Sequence, residues 1–240
     1  SDISFDVYPG QIVGIAGQIG SGAAEVVRAI AGLVPAARGR LSLKGREQAI
    51  RSRAVMRDAG IAFISEDRAA EGLFLRRPIR ENLVAASLAE LCTAGYLSPS
   101  CLDARAAAVA AEVGVDAARL AQPAGVLSGG NQQKLAFGRC LAPQGDRVPS
   151  LILMNEPTRG VDIGARAELY KIMRGLCRRN FGLLMHTTDL EEMLGLADVI
   201  LTMYRGRLVK IYPGGRATLA TLITDITHSE AGTAVLEATP

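Results

Sequence analysis

Leu127-Ser128-Gly129-Gly130-Asn131-Gln132-Gln133-Lys134 reads as a turn that opens into a helix. The Gly129-Gly130 pair can take backbone angles that a Cβ forbids. Behind it, Leu135, Ala136, Phe137, Leu141 and Ala142 recur at helical spacing and give the helix an apolar face. Such a helix start presents unpaired backbone N–H groups and the positive end of the dipole, which suits an anion, phosphate most of all. For Ser-Gly-Gly alone, a capped helix behind a glycine turn is the simpler reading. The full octet is more specific, and its flanks extend the pattern.

Downstream, Leu151-Ile152-Leu153-Met154 is a buried strand that runs into Asn155-Glu156-Pro157-Thr158-Arg159-Gly160-Val161-Asp162. An acid at the end of an apolar strand is common, yet Glu156 stands where a general base would act on water. Asn155 before it is a neutral amide, a poor ligand for a hard dication. Upstream, the apolar run 11–16 leads into Gly17-Gln18-Ile19-Gly20-Ser21-Gly22, and helical spacing follows over residues 23–33. Strand, glycine loop and helix are the context of a phosphate-binding loop, whose glycines let successive N–H groups face inward. Such a loop continues with Lys and Ser/Thr, the Lys for the β- and γ-phosphates and the hydroxyl for Mg²⁺. Here Ala23-Ala24 follow. A charged hydrogen bond contributes ~1.5–3 kcal/mol, so lacking the Lys alone weakens phosphate binding about 10–150-fold. Taken alone, the loop is equally well read as a tight strand-to-helix turn without a ligand.

The octet resembles the signature motif of ABC-transporter ATPases, in the LSGGNQQK form of importers of simple sugars and related small solutes. Several further stretches resemble the same family. They are the glycine loop, with Ala23 and Ala24 in place of Lys and Ser/Thr, and residues 60–74, with Glu66 at the Q-loop position. Downstream come a Walker B segment with Asn155 in place of Asp and Glu156 as the candidate base, and a D-loop ending at Asp162. Aligning the apolar strand 182–185 and Asp189-Leu190-Glu191-Glu192 puts the switch position at Thr188, not at His186, which reads as a hydrogen-bonded strand histidine. The resemblance covers roughly residues 3–226 and looks like the second nucleotide-binding domain of a tandem ATP-binding subunit. It implies an α/β, P-loop NTPase-like ABC ATPase fold with an inserted helical subdomain and an N-terminal antiparallel β portion. The implied division is 1–77 and 128–226 for the nucleotide-binding core, 78–127 for the helical subdomain and 227–240 for a loose tail. The family's adenine-stacking aromatic would fall before Ser1, so the chain looks like an excised piece.

In such families each ATP lies between the loop of one domain and the signature of the other. The substitutions at Ala23, Ala24, Asn155 and Thr188 fall on the site this chain builds with its own loop, Gly17, Gln18, Ile19, Gly20, Ser21 and Gly22. Leu127, Ser128, Gly129, Gly130, Asn131 and Gln132 serve the opposite site and are intact. The resemblance thus implies ATP and Mg²⁺ as cofactors, weak or absent at this chain's own loop, with no metal ligands of its own. It implies another ABC nucleotide-binding domain in the same full-length chain, a transmembrane permease and, indirectly, a solute-binding protein as partners. It places the protein in the cytoplasm, on the inner face of the membrane. Two alternatives stay open: a working ATPase half that acts through Glu156, and a soluble ABC protein of translation or repair. The second is disfavoured by the sugar-type octet and the absence of long inserts.

Composition agrees. The 240 residues carry 27 basic and 24 acidic side chains, mostly interspersed, which argues against a nucleic-acid binder. Hydrophobic residues make up 49% and aromatics 4%, so the core is aliphatic. No apolar run reaches the roughly 18–20 residues of a membrane span, and Cys92, Cys101, Cys140 and Cys177 lack metal-ligand spacing. Residues 3–7 alternate as a half-buried strand does. Residues 50–58 read as a helix, and 78–126 read as helical without strand signals. A hairpin is expected around Arg205-Gly206 and a last helix over 219–226.

Overall fold

In the computed structural model, which describes residues 3–34, 39–93, 96–142 and 149–227, the apolar run after Gln11 is β1 (Ile12–Ala16). All five of its residues are buried, as they are in β7 (Leu151–Asn155) and β8 (Gly182–His186). Continuous apolar runs of this kind mark parallel strands covered on both faces. β1 pairs in parallel with β8 and with β9 (Val199–Tyr204), and β7 pairs in parallel with β8. β10 (Arg207–Pro213) folds back antiparallel on β9. The turn between them has positive φ at Arg205 and Gly206, 46° and 76°, the handedness that a two-residue hairpin loop requires.

These strands belong to the first of two compact units, which gathers Ser1–Ile61, Ser150–Pro157 and Leu176–Pro240. Its helices are α1 (Ala23–Ile30), α2 (Arg53–Asp58), α7 (Leu190–Leu196) and α8 (Leu219–Thr227). α1 packs on β7 and β8, α7 on β1, and α8 on β9. α7 approaches β1 so closely that a Cβ at Gly14 would lie 1.9 Å from Met193 Sδ. The antiparallel β portion consists of the hairpin β2 (Leu41–Leu43) and β3 (Arg46–Gln48). Ile3, Phe5 and Val7 do alternate with more exposed neighbours, but residues 3–7 form no strand. Alternation needs a paired edge to become a strand, and none is offered to them among the described residues. The helix expected over 50–58 starts only at Arg53, because Ser52 is extended, with ψ 160°.

The second unit gathers Ala62–Pro149 and Thr158–Gly175. Within it α3 (Ile79–Val84), α4 (Pro99–Val113) and α5 (Gly129–Leu141) pack on one another. α6 (Ile163–Arg178) belongs to this unit up to Gly175, and β4 (Ile61–Ile64) from Ala62 onward. Ser98 caps α4 with its hydroxyl, and Gly114 ends it in the left-handed region, φ 65°. One expectation fails here. The stretch read as free of strands holds a small antiparallel hairpin, β5 (Cys92–Thr93) with β6 (Tyr96–Leu97), too short to leave a period in the sequence.

The three helices meet at Gly138, where a Cβ would lie 2.6 Å from Leu83 Cδ2 and 3.2 Å from both Val109 and Val113. Overpacking a tight core costs ~1–3 kcal/mol, so Gly138→Val is expected to lower the free energy of unfolding by about that much. Denaturant titration checks it, and an unchanged midpoint refutes the close packing. The loose tail expected over 227–240 lies, from residue 228 on, outside the described residues.

Candidate functional site

In the first unit the carboxyl ends of β1, β7 and β8 come out side by side. Strand register aligns Ile15 with His186 and His186 with Asn155. Ligands of open parallel sheets bind beyond such strand ends. The glycine loop starts there. Gly20 and Gly22 have φ of 82° and 92°, so the loop curls as the spacing predicts. A Cβ at Gly17 would lie 2.3 Å from Ser21 Oγ and 3.1 Å from Ala23 Cβ. The Ser21 N–H donates to the Gln18 carbonyl at 2.9 Å, and the Gly206 N–H donates to the Ser21 carbonyl at 2.7 Å. Ser21 Oγ accepts the Ala23 N–H at 3.3 Å. Ala23 is 1% exposed, and its methyl sits inside the curl where a phosphate-binding lysine would begin; Ile19 at the tip is 97% exposed. Ala24, the second residue of α1, has no hydroxyl to offer.

Asn155 ends β7 at 1% exposure, and among the described residues neither Oδ1 nor Nδ2 has a hydrogen-bond partner. A buried polar group left unpaired costs about 1–3 kcal/mol. Asn155→Leu, of similar size, is therefore expected to raise the free energy of unfolding by a comparable ~1–3 kcal/mol. A fall in the denaturation midpoint contradicts this.

Glu156 follows with φ 47°, a left-handed conformation unusual for a side chain with a Cβ. Its N–H donates to the His186 carbonyl at 2.8 Å. Its carboxylate accepts the Thr188 N–H at 2.8 Å and faces the Thr187 hydroxyl at 3.4 Å. The Thr187 hydroxyl donates more closely to Glu192, at 2.8 Å. The candidate base is thus held against the loop that follows β8, and the switch position contributes its backbone to that contact. His186 is 5% exposed with Nδ1 3.0 Å from the Ile15 carbonyl, engaged by strand backbone.

The second unit carries the stretches that resemble the signature, the Q-loop position and the D-loop. Ser128 caps α5: its hydroxyl accepts the Asn131 N–H at 3.5 Å and Asn131 Nδ2 at 3.1 Å. Gln132 Nε2 donates to the Leu127 carbonyl at 3.1 Å. The two glycines are demanded by the D-loop segment. A Cβ at Gly129 would lie 2.6 Å from the Gly160 carbonyl, and one at Gly130 would lie 2.4 Å from Ala165 Cβ. Asp162 Oδ1 accepts the Ala165 N–H at 2.9 Å, which fixes the start of α6. Lys134 pairs with Glu168.

Glu66 pairs with Arg159, 3.0 Å away and 93 residues on. Arg68 was passed over. Its Nη1 donates to Gln133 Oε1 and to the Arg159 carbonyl, both at 3.0 Å. Burial lowers its pKa, opposed in part by the Asp67 charge. Gln133, 1% exposed, was quoted within the octet without a role. The available signal was a polar residue on the stripe of Gly130 and Phe137, which are also buried.

An implied ATP and Mg²⁺ can be tested against these groups. The first unit's loop keeps a curled backbone fit for phosphate, but a buried methyl, a second alanine and a buried amide stand where cation, hydroxyl and carboxylate are needed. This donor set does not fit Mg²⁺. The signature turn keeps its hydroxyl cap and glycine amides.

A sequence model of the ABC transporter family matches residues 1–159. The chain is 36% identical over 218 residues to ribose import ATP-binding protein RbsA 2 of Streptomyces avermitilis, covering 91% of this chain and 42% of that protein. It is 40% identical over 225 residues to RbsA of Corynebacterium glutamicum, covering 91% and 41%. The chain thus spans about two-fifths of the length of these relatives. Among solved structures, a nucleotide-free ATP-binding cassette from an ABC transporter superposes with a TM-score of 0.76 at 20% identity, covering 95% of this chain and 88% of that one. An ATP-binding cassette in its ADP conformation gives 0.72 at 22%, covering 88% and 84%. No helix among the described residues is long and apolar enough to cross a membrane.

Proposed function

The chain belongs to the ABC transporter family, with the α/β fold of its ATP-binding cassettes, and on that footing we propose that it serves as the signature-donating half of an importer's ATPase pair. Its curated relatives are ribose import proteins, and a simple sugar or similar small solute is the substrate class proposed for the whole transporter. Leu127–Gln132 faces the nucleotide held by the loop of a second cassette, part of the same full-length chain. Ser128 Oγ and the Gly129 and Gly130 N–H groups meet its γ-phosphate when the pair closes. The chain's own loop stays without Mg²⁺-dependent turnover. In this reading residues 1–77 and 128–226 form the nucleotide core. The 78–127 segment receives a transmembrane permease at the inner face of the membrane, next to the Glu66 stretch.

The observation that carries this reading is Ala23, a buried methyl that stops where a phosphate-binding lysine would go on to its cation. The carboxylate of Glu156 is already bonded to Thr188, which weighs against the alternative of a working base. Equilibrium ATP binding by the chain, with and without Mg²⁺, tests the proposal. Binding that is weak and indifferent to Mg²⁺ is the expected result. Tight binding strengthened by Mg²⁺ would overturn it and return Glu156 to the role of base.

A further inference from the structure

The stretch Glu66-Asp67-Arg68 holds the D-loop with two prongs. Glu66 takes the Arg159 side chain at 3.0 Å, and Arg68 takes the Arg159 carbonyl at 3.0 Å. The second N–H of the same Arg68 nitrogen is used on Gln133 Oε1 of the signature helix. The guanidinium passes beside two glycines. Its Nη2 lies 3.6 Å from where a Cβ of Gly129 would stand and 3.4 Å from that of Gly160. Gln133 is buried, and its Nε2 has no hydrogen-bond partner among the described residues, so the bond to Arg68 anchors this amide. A planar, multi-donor cation suits such a junction, and a single ammonium does not reproduce it.

From this geometry we infer that Arg68 is the positioning residue of the signature turn, locking Ser128-Gly129-Gly130 to the D-loop and tying both to the Glu66 stretch. The inference rests on the signature-donor reading above. Arg68 does not touch the nucleotide. It acts through Gln133 and the Arg159 backbone, which fix the direction in which the Gly129 and Gly130 N–H groups point. A movement of residues 66–68 is then transmitted to signature and D-loop together. Gly129 and Gly160 are small for another reason: a Cβ at Gly129 would lie 2.6 Å from the Gly160 carbonyl, and Gly160 has a φ of 68°.

The test uses the full-length subunit assembled with its permease, and the variants Arg68→Gln, Gln133→Leu and Gln133→Glu. Losing a charge-assisted bond is worth about tenfold or more. Arg68→Gln and Gln133→Leu are therefore expected to lower kcat for ATP about tenfold or more, with KM little changed. Gln133→Glu, which keeps an acceptor for the guanidinium, retains most of the rate. A second readout needs no nucleotide. Amide hydrogen exchange over 128–133 and 159–162 rises in Arg68→Gln and Gln133→Leu but not in Gln133→Glu, while α4 keeps its protection. Uniform loss of protection in every variant, or equal rates in Gln133→Leu and Gln133→Glu, overturns the inference. Ser128→Arg separates the two levels. If it leaves hydrolysis intact, the signature-donor reading fails. If it abolishes hydrolysis while Arg68→Gln is silent, only the positioning role fails.

Discussion

Ser128→Arg is expected to lower ATP hydrolysis by the assembled full-length transporter about 100-fold or more, the loss associated with removing a single preorganised donor from a reacting oxyanion. The position is exposed, so the fold accommodates the larger side chain. What goes is the hydroxyl that caps α5 and now accepts from Asn131. Loss of an N-cap costs about 1 kcal/mol of stability, too little to unfold a domain of this size. The drop in rate must therefore come from the nucleotide facing the turn, where an arginine crowds the place of the γ-phosphate. Steady-state hydrolysis beside a thermal melt separates the causes. A normal rate removes the signature from the chemistry.

The second large effect runs in the opposite direction. Ala23→Lys, Ala24→Ser and Asn155→Asp together are expected to create Mg²⁺-dependent ATP binding on this chain's own loop. The lysine alone restores an interaction worth ~10–150-fold in affinity, and its first carbon already has a place, since Ala23 Cβ points into the curl beside Gly17. Asn155→Asp puts a carboxylate at a position that is 1% exposed. Burying a charge without a partner carries a penalty of several kcal/mol. The triple variant should therefore melt lower than the parent without metal and recover when Mg²⁺ and ATP are added together. Calorimetric titration and melting with and without Mg²⁺ read both effects. Binding that stays indifferent to Mg²⁺ means that the three substitutions are not what disables the loop.

The order of elements along the chain was legible because each rests on local chemistry. Short apolar runs gave β1 and β7, and Ser-Gly-Gly before an apolar stripe gave the start of α5. What escaped was non-local. Glu66 and Arg68, two residues apart, both engage Arg159, far along the chain. No period or spacing carries that information. Short pieces escaped for a different reason. β5 and β6 have two residues each, below the length at which alternation can be read in an alanine-rich surround. Residues 3–7 show the converse, a strand period with no strand to pair with among the described residues. The alanines at 23 and 24 and the asparagine at 155 were visible as letters. Only the structure adds that Ala23 and Asn155 are buried and that the Asn155 side chain has no hydrogen-bond partner among the described residues.

On the signature-donor proposal, one of the two composite sites works, the one completed by this chain's signature. The most direct measurement is the number of Mg·ATP molecules trapped per full-length subunit when turnover is blocked in the assembled transporter. The account predicts one, lost in Ser128→Arg and unaffected by Asn155→Leu. Two trapped nucleotides, or one that survives Ser128→Arg, would contradict it.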